Sequence, residues 1–386
     1  MKEYDVVVIG GGIHGVGVAQ AAAAESYSVL LLEMNQLAAG TSSKSSKLIH
    51  GGLRYLESLE FRLVRESLRE RELLLKLAPD LVRRQAFYIP VYPETTRRPW
   101  QLRLGLGLYA ILAGFKKSVR YRRIPRAEWD NLDGLTTNNL QHVFQYWDAQ
   151  TDDAELTRAV MRSAESLGAE LACPGEFQSA NIDSNGCEIN FADNGKETQI
   201  RTGVIINAAG PWATEAARRI TPTPVTPAVD LVQGAHIELP GTITNGCYYM
   251  EAPKDKRAVF VMPWRDRTMV GTTEHHFDDD PSRVCSLETE LEYLVATYQH
   301  FFPNRSTEIL DSWAGLRVLP AASGSAFRRS RETQLPTDNE GRPRVVSIFG
   351  GKLTGYRATA QKVMRKIRRT LPIRKPRADT KKLTLS

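Results

Sequence analysis

The stretch from Tyr4 to Gly15 (YDVVVIGGGIHG) decides the fold. Tyr4–Ile9 is a short apolar, β-branched run, the pattern of a strand buried on both faces. Three glycines follow, then an Ala-rich stretch to Ala24 that reads as a helix. Ser28–Leu32 is a second buried run, ending at Glu33. Together they predict a βαβ unit of about 30 residues. Gly10–Gly15 fits G-x-G-x-x-G, in which the first glycine permits a tight turn and the second lets the backbone approach a pyrophosphate. The third allows close helix–strand packing, and the helix N-terminus faces the phosphates. Glu33 lies 23 residues after Gly10, where an acid meets a ribose hydroxyl. A glycine triplet alone is an ordinary turn; in this setting it predicts a dinucleotide site contacted by Gly10, Gly12, Ile13, His14, Gly15 and Glu33. The motif does not separate FAD from NAD.

Outward from this unit, residues 59–78 carry apolar positions at helical spacing, closed by Pro79. Residues 80–147 are mixed and rich in Pro, Arg and aromatics. A helix is expected over Asp153–Leu167 with Gly168 as its cap, and short strands over 169–205. Gly203–Ala208 reads as another buried strand, followed by Ala209-Gly210-Pro211-Trp212 and a helix to Arg219. Residues 222–275 alternate like an antiparallel sheet, 286–302 read as a helix, and Val345–Phe349 as a last buried strand. Gly350-Gly351-Lys352 then leads into a basic helix. An α/β order interrupted twice by β-rich material predicts an α/β fold with an α+β cap. Its Rossmann-like nucleotide-binding domain is assembled from the discontinuous segments 1–79, 148–221 and 311–370. The inserted antiparallel-sheet substrate domain comes from 80–147 and 222–310, and a basic tail covers 371–386.

The chain has 386 residues, 42% hydrophobic and 25% charged, which excludes disordered, collagenous and polytopic membrane classes. Its length fits roughly two or three domains. The four cysteines are scattered without metal spacing, so no disulfide scaffold or metal site is expected, and a reducing compartment is the default. The N-terminus does not read as a secretory leader, and no run reaches the ~18 apolar residues of a membrane span. His275-His276 resembles a metal pair, but neighbours on a strand face opposite ways.

The net charge of +7 is uneven. Segment 97–127 holds nine Lys/Arg and no acid; segment 362–386 holds ten against Asp379, which leaves the rest of the chain at −11. Arg97–Lys117 is apolar in the middle with cations and Trp100 at its edges. It reads either as an element lying in an anionic membrane surface or as a helix or hairpin packed on the cap. The tail is expected to be solvated and partly disordered, with no nucleic-acid partner, because stacking aromatics are missing.

Ala39–Tyr55 (AGTSSKSSKLIHGGLRY) is followed in order by Val204–Trp212 (VIINAAGPW), Val259–Trp264 (VFVMPW), Gly271-Thr272-Thr273 and Phe349–Arg357 (FGGKLTGYR). From Tyr4 to about Arg365 the chain resembles the quinone-linked, aerobic-type FAD-dependent glycerol-3-phosphate dehydrogenases, within the D-amino-acid-oxidase-like flavoproteins. The resemblance implies non-covalent FAD and a cap domain over its isoalloxazine ring. The implied reaction oxidises sn-glycerol 3-phosphate to dihydroxyacetone phosphate, by hydride transfer from C2 to flavin N5, with electrons passed to a quinone. It also implies a cytoplasmic protein, peripheral on the inner face of the cytoplasmic membrane.

Within the matching motifs, FAD contacts are implied for Thr41, Ser42, Ser46, Lys47, His50, Gly51 and Leu53. Further contacts are implied for Ala209, Gly210 and Trp212, and for Gly351, Lys352, Leu353 and Thr354. Substrate contacts are implied for Arg54, Tyr55, Arg317 and Lys352, with Arg317 and Lys352 also acting in catalysis. A phosphate dianion calls for several cations, whereas one bidentate Arg suffices for a carboxylate. His50 and His236 are both candidates for the base. The chain departs from the family at Gly355, where a Thr is usual, at Glu274, where Asp is usual, and at Ala314–Leu319. It also stops short of the helical domain that bacterial members carry after the flavin domain. Two other functions stay open: a flavin oxidase or dehydrogenase of a small amino or hydroxy acid, and a flavin-binding protein without catalysis.

Overall fold

A computed structural model describes residues 1–114, 120–321 and 332–386. The end of the Arg97–Lys117 stretch, from 115 on, lies outside the described residues.

Two sheets organise the chain. In the first, Lys2–Ile9 runs parallel to Val29–Leu32 on one side and to the second half of Lys196–Asn207 on the other, from Lys2↔Ile200 to Ile9↔Asn207. Glu170–Ala172 extends the sheet beyond Val29–Leu32, and Val345–Ser347 lies parallel to Ile205–Asn207. The first half of Lys196–Asn207 pairs antiparallel with Cys187–Asp193, so the run expected at 203–208 is the end of a 12-residue strand. Helix Ile13–Ala24 is buried along nearly its whole length and packs against helices Asp153–Ser166 and Tyr356–Ile367. Its alanines and glycines allow that close approach: a Cβ on Gly17 would lie 2.7 Å from the Tyr356 ring.

The second sheet runs in the order His275–Phe277, Val229–Leu239, Arg267–Gly271, Ala258–Trp264, Cys247–Glu251, Val82–Val91, His142–Thr151 and Leu48–Ile49. Asp311–Pro320 pairs with Val229–Leu239 over ten positions. That strand was expected with the nucleotide-binding segments. Ala314, Leu316 and Leu319 are buried, and its backbone is satisfied by the cap strand beside it. Leu48–Ile49 and the end of His142–Thr151, from Asp148 on, likewise cross into this sheet. Helix Glu288–Phe301 contributes to the core on one side, and helices Phe61–Leu77 and Pro99–Leu112 to a separate core around Leu68, Leu106 and Phe144.

The tail differs from expectation. Leu371 and Leu385 are buried in the core around the first helix, and Thr380 is buried too. The amide of Arg377 donates to Ala24 O at 2.9 Å and that of Leu385 to Leu77 O at 2.6 Å. Both acceptors are the last residues of helices, whose carbonyls have no partner within the helix. A chain end rich in exposed charge is therefore docked by two leucines and by capping two helix C-termini.

Candidate active site

The glycine turn is built of backbone with no room to spare. Gly10 sits at φ +104°, and a Cβ there would fall 2.7 Å from Ala208 O; a Cβ on Gly15 would fall 1.9 Å from Gly10 O. Helix Ile13–Ala24 starts at Gly12 without a side-chain cap and without an acid in its first turn. Its positive end is thus suited to an anion. Ser42 Oγ accepts from the amide of Ile13 at 2.9 Å. Glu33 closes the next strand, accepting from Gly11 N at 2.7 Å and Asn35 N at 2.9 Å. Gly351 brings the last turn against the first: a Cβ on it would lie 2.3 Å from His14 Nε2. Burial pushes the His14 imidazole down to about 4. Thr41 Oγ1 donates to Leu316 O at 2.8 Å, and Trp212 lies 3.3 Å from where a Cβ on Gly40 would be. Ala209 N–H donates to Asn207 Oδ1, and Gly210, at φ +58°, leaves open space beside it. The glycine cradle, the positive helix end and the carboxylate beside them fit the pyrophosphate and ribose of a dinucleotide.

On the cap side, Ser46 Oγ lies 2.9 Å from His236 Nε2. The imidazole stacks on Trp313, 5.5 Å between centroids and 11° from parallel. On its other side a Cβ on Gly271 would lie 2.1 Å from its Cδ2. Burial, then the charges of Arg317 and Lys47, push His236 down to about 3, so it stays neutral. Arg317 Nη2 donates to Thr273 O at 2.6 Å, and Gly234 leaves space for it.

Lys47 is placed differently from the flavin contact expected of it. Its ammonium donates to Ser43 O and Asp153 Oδ1, both at 2.6 Å, below the rings of Trp264 and Trp313. Ser45 donates to the other oxygen of Asp153. This buried ion pair pins the serine-rich loop to helix Asp153–Ser166.

Lys352 Nζ stands 3.7 Å over the Tyr55 ring, and Arg54 lies 5.1 Å from the same ring. These three therefore form one group, next to Leu53 in the same short turn. Arg317, Ser46 and His236 form another. The backbone before Lys352 runs close to the strand that carries Arg317: a Cβ on Gly350 would lie 3.2 Å from Val318 O. The amide of His50 donates to Thr354 Oγ1 at 3.0 Å, just after Leu353 in the last turn.

Asp148, Asp153 and Tyr109 were not singled out by sequence. Asp153 had one signal: an acid at the start of a helix opposite a serine- and lysine-rich loop. Asp148 depends on strand register and Tyr109 on the packing of helix Pro99–Leu112, and neither carries one.

A mostly parallel sheet with a glycine cradle, joined to an antiparallel cap bearing cations and histidines, defines a flavin-dependent oxidoreductase. The family described as FAD dependent oxidoreductase (DAO) matches residues 5–357, and the chain belongs to it; its cofactor is FAD. The chain is 37% identical over 370 residues to the glycerol-3-phosphate dehydrogenase of Pseudomonas aeruginosa, covering 94% of this chain and 71% of the relative. It is 36% identical over 376 residues to the aerobic glycerol-3-phosphate dehydrogenase of Escherichia coli (95% and 74%). It is 35% identical over 379 residues to the D-erythritol 1-phosphate dehydrogenase of Brucella abortus (95% and 74%). The FAD complex of the Bacillus halodurans glycerol-3-phosphate dehydrogenase superposes with a TM-score of 0.75 at 24% identity, covering all of this chain and 68% of that one. The FAD-bound L-alpha-glycerophosphate oxidase of Mycoplasma pneumoniae gives 0.78 at 18%, over the full length of both. At those identities the likeness is one of fold.

Proposed function

We propose that the chain oxidises sn-glycerol 3-phosphate to dihydroxyacetone phosphate. What supports the proposal is the set of cations Arg54, Lys352 and Arg317: the first two lie in segments that match the glycerol-3-phosphate dehydrogenases and pack on one Tyr55 ring, and the third lies on the strand paired with that of His236. The segments of the first sheet and its helices hold FAD, and the second sheet caps it. The chemistry FAD supplies when bound is acceptance of a hydride from C2 at N5 and onward transfer of electrons to a quinone. Gly10, Gly12, Ile13, His14 and Gly15 face its pyrophosphate, Glu33 its ribose, and Ala209–Trp212 and Gly351–Thr354 the rest of its length. Arg54, Arg317 and Lys352 bind the phosphate dianion and orient the alcohol. The burial that keeps His236 neutral also makes it a weak base, which favours His50 for the hydroxyl proton and leaves His236 to position Ser46.

No helix among the described residues is long and apolar enough to cross a membrane. Helix Pro99–Leu112 instead exposes Trp100, Leu104 and Ile111, at 64%, 67% and 51%, beside Arg98 and Arg103. We place it at an anionic lipid surface, where quinone is found.

A specific observation favours a second substrate, the similarity to the D-erythritol 1-phosphate dehydrogenase, whose name points to a polyol one carbon longer. Anaerobic mixing decides. Bleaching of the flavin band by glycerol 3-phosphate supports the proposal; bleaching only by erythritol phosphate, by amino or hydroxy acids, or by nothing overturns it. Arg54→Ala and Arg317→Ala should each lower kcat/KM by roughly 10–100-fold, and unchanged values in both would remove the phosphate site. Reoxidation by a short-chain quinone, faster on anionic vesicles, tests acceptor and surface together; no reoxidation excludes the quinone.

A further inference from the structure

We infer, resting on the dehydrogenase function proposed above, that Tyr109, Asp148 and Arg71 are positioning residues that hold His50 in place beneath the cap. His50 is clamped from both sides. Its own N–H donates to Thr354 Oγ1, and the next N–H, of Gly51, donates to the Tyr109 phenol oxygen at 2.8 Å and to Asp148 Oδ1 at 3.3 Å. Because the peptide between His50 and Gly51 is planar, tethering its N–H sets the direction of the His50 carbonyl as well. Two bonds thus restrict both backbone torsions of this one residue.

Behind Gly51 the bonds continue inward. The Tyr109 hydroxyl donates to both oxygens of Asp148 at 2.8 Å, and Arg71 Nη1 donates to Asp148 Oδ1 and to Trp147 O. Arg71, Asp148 and Tyr109 are 0%, 1% and 2% exposed. Burial works against the guanidinium, yet the facing Asp148 keeps Arg71 charged; burial and the same carboxylate keep the Tyr109 phenol protonated and able to donate. A buried ion pair is weak as a source of stability, since well-packed apolar residues commonly do as well. Its position here is explained by what it holds. Gly51 fits no side chain, because a Cβ would lie 2.4 Å from the Tyr109 hydroxyl and 2.6 Å from Leu68 Cδ2. The register Ile49↔Ala149 brings Asp148 alongside the chain where it leaves the sheet toward His50.

Tyr109→Phe in the FAD-loaded protein removes one hydroxyl and keeps the ring. Tyr248→Phe is the control, because its ring is equally buried under helix Glu288–Phe301 and its hydroxyl donates to a carboxylate, Asp133, at 2.7 Å, but in a half-exposed setting with no bond to the chain at His50. Both variants should melt at similarly lowered temperatures. Only Tyr109→Phe should speed amide exchange in the peptide spanning 50–52, by about tenfold, and alter the visible flavin spectrum. It should also lower kcat for glycerol 3-phosphate by about tenfold, with KM changed less than about twofold. Equal exchange and equal spectra in the two variants would overturn the inference. If wild-type protein is not reduced by glycerol 3-phosphate, the substrate proposal fails alone, and exchange and spectra still decide the clamp.

Discussion

The turn at Gly10–Gly15 and the cap face around His236, which the proposed function sets against the same cofactor, are made of different material. The turn consists of backbone amides, a carbonyl at Ala208 and missing side chains. The cap face consists of side chains, with His236 held between Trp313 and Gly271 and Arg317 tied to Thr273 O. A site of the first kind is damaged by adding atoms, and one of the second kind by removing them or changing their charge.

The largest effect should come from adding a single methyl group. Gly15→Ala ordinarily improves a helix by up to about 1 kcal/mol. Here the methyl would stand 1.9 Å from Gly10 O, so the turn must open. Overpacking of this kind costs about 1–3 kcal/mol, enough to reverse the gain. The purified variant should carry little FAD by its absorption at the flavin band. A fully loaded variant would show that the turn can shift, and would break the contrast drawn above.

The cap face should show itself through charge. His236 has its imidazole pushed down to about 3, first by burial and then by Arg317 and Lys47, against an ordinary value near 6.5. Between those two pH values the unfolded chain binds a proton at this residue and the folded chain does not. Stability is therefore complete above about pH 6.5 and falls as pH drops toward 3, by at most ~1.4 kcal/mol per unit from this one group. Unfolding midpoints of wild type and His236→Gln, measured from pH 7 to 4, should converge as the medium becomes acid. Parallel curves would mean that the ring is solvated or already paired. His14, pushed down to about 4, adds to the slope with the same sign and is untouched by the substitution.

The same contrast explains what sequence reveals. Gly10, Gly15 and Glu33 act through chain-local spacing, so the pattern strand, turn, helix, strand and acid is legible without coordinates. Arg317, Lys352 and Arg54 were singled out through the family resemblance, but nothing local says that Lys352 and Arg54 share the Tyr55 ring. Asp148 and Tyr109 left no trace: Asp148 reaches Gly51 through the pairing of Leu48–Ile49 with a strand about 100 residues away, and Tyr109 through the packing of helix Pro99–Leu112. The tail was misread for a related reason: its charge count describes its exposed side chains, whereas Leu371, Leu385 and two backbone amides decide where it lies. The Lys47 ion pair shows the limit of composition in the other direction, since a lysine among serines suggests a phosphate ligand until its partner Asp153 is seen.

The smallest effect tests whether every glycine in these turns belongs to the first kind of site. Gly355 is the N-cap of helix Tyr356–Ile367, at φ −95°, with no described atom within 4 Å of a Cβ built on it. It shares neither the left-handed backbone of Gly351 nor the crowding of Gly15. A serine there has room, and its hydroxyl can accept from an amide of the first helical turn, as that residue commonly does at an N-cap. Because glycine is itself an acceptable N-cap, Gly355→Ser should gain only a few tenths of a kcal/mol. The melting temperature should rise by about one degree, with FAD content unchanged. A loss of FAD would place Gly355 with the backbone-built turn despite its open surroundings, and crowding by a Cβ would then be an incomplete criterion for which glycines the cofactor requires. Unchanged binding with a small gain in stability would assign the position to the helix alone, and would leave the usual threonine of this family's motif as a matter of capping.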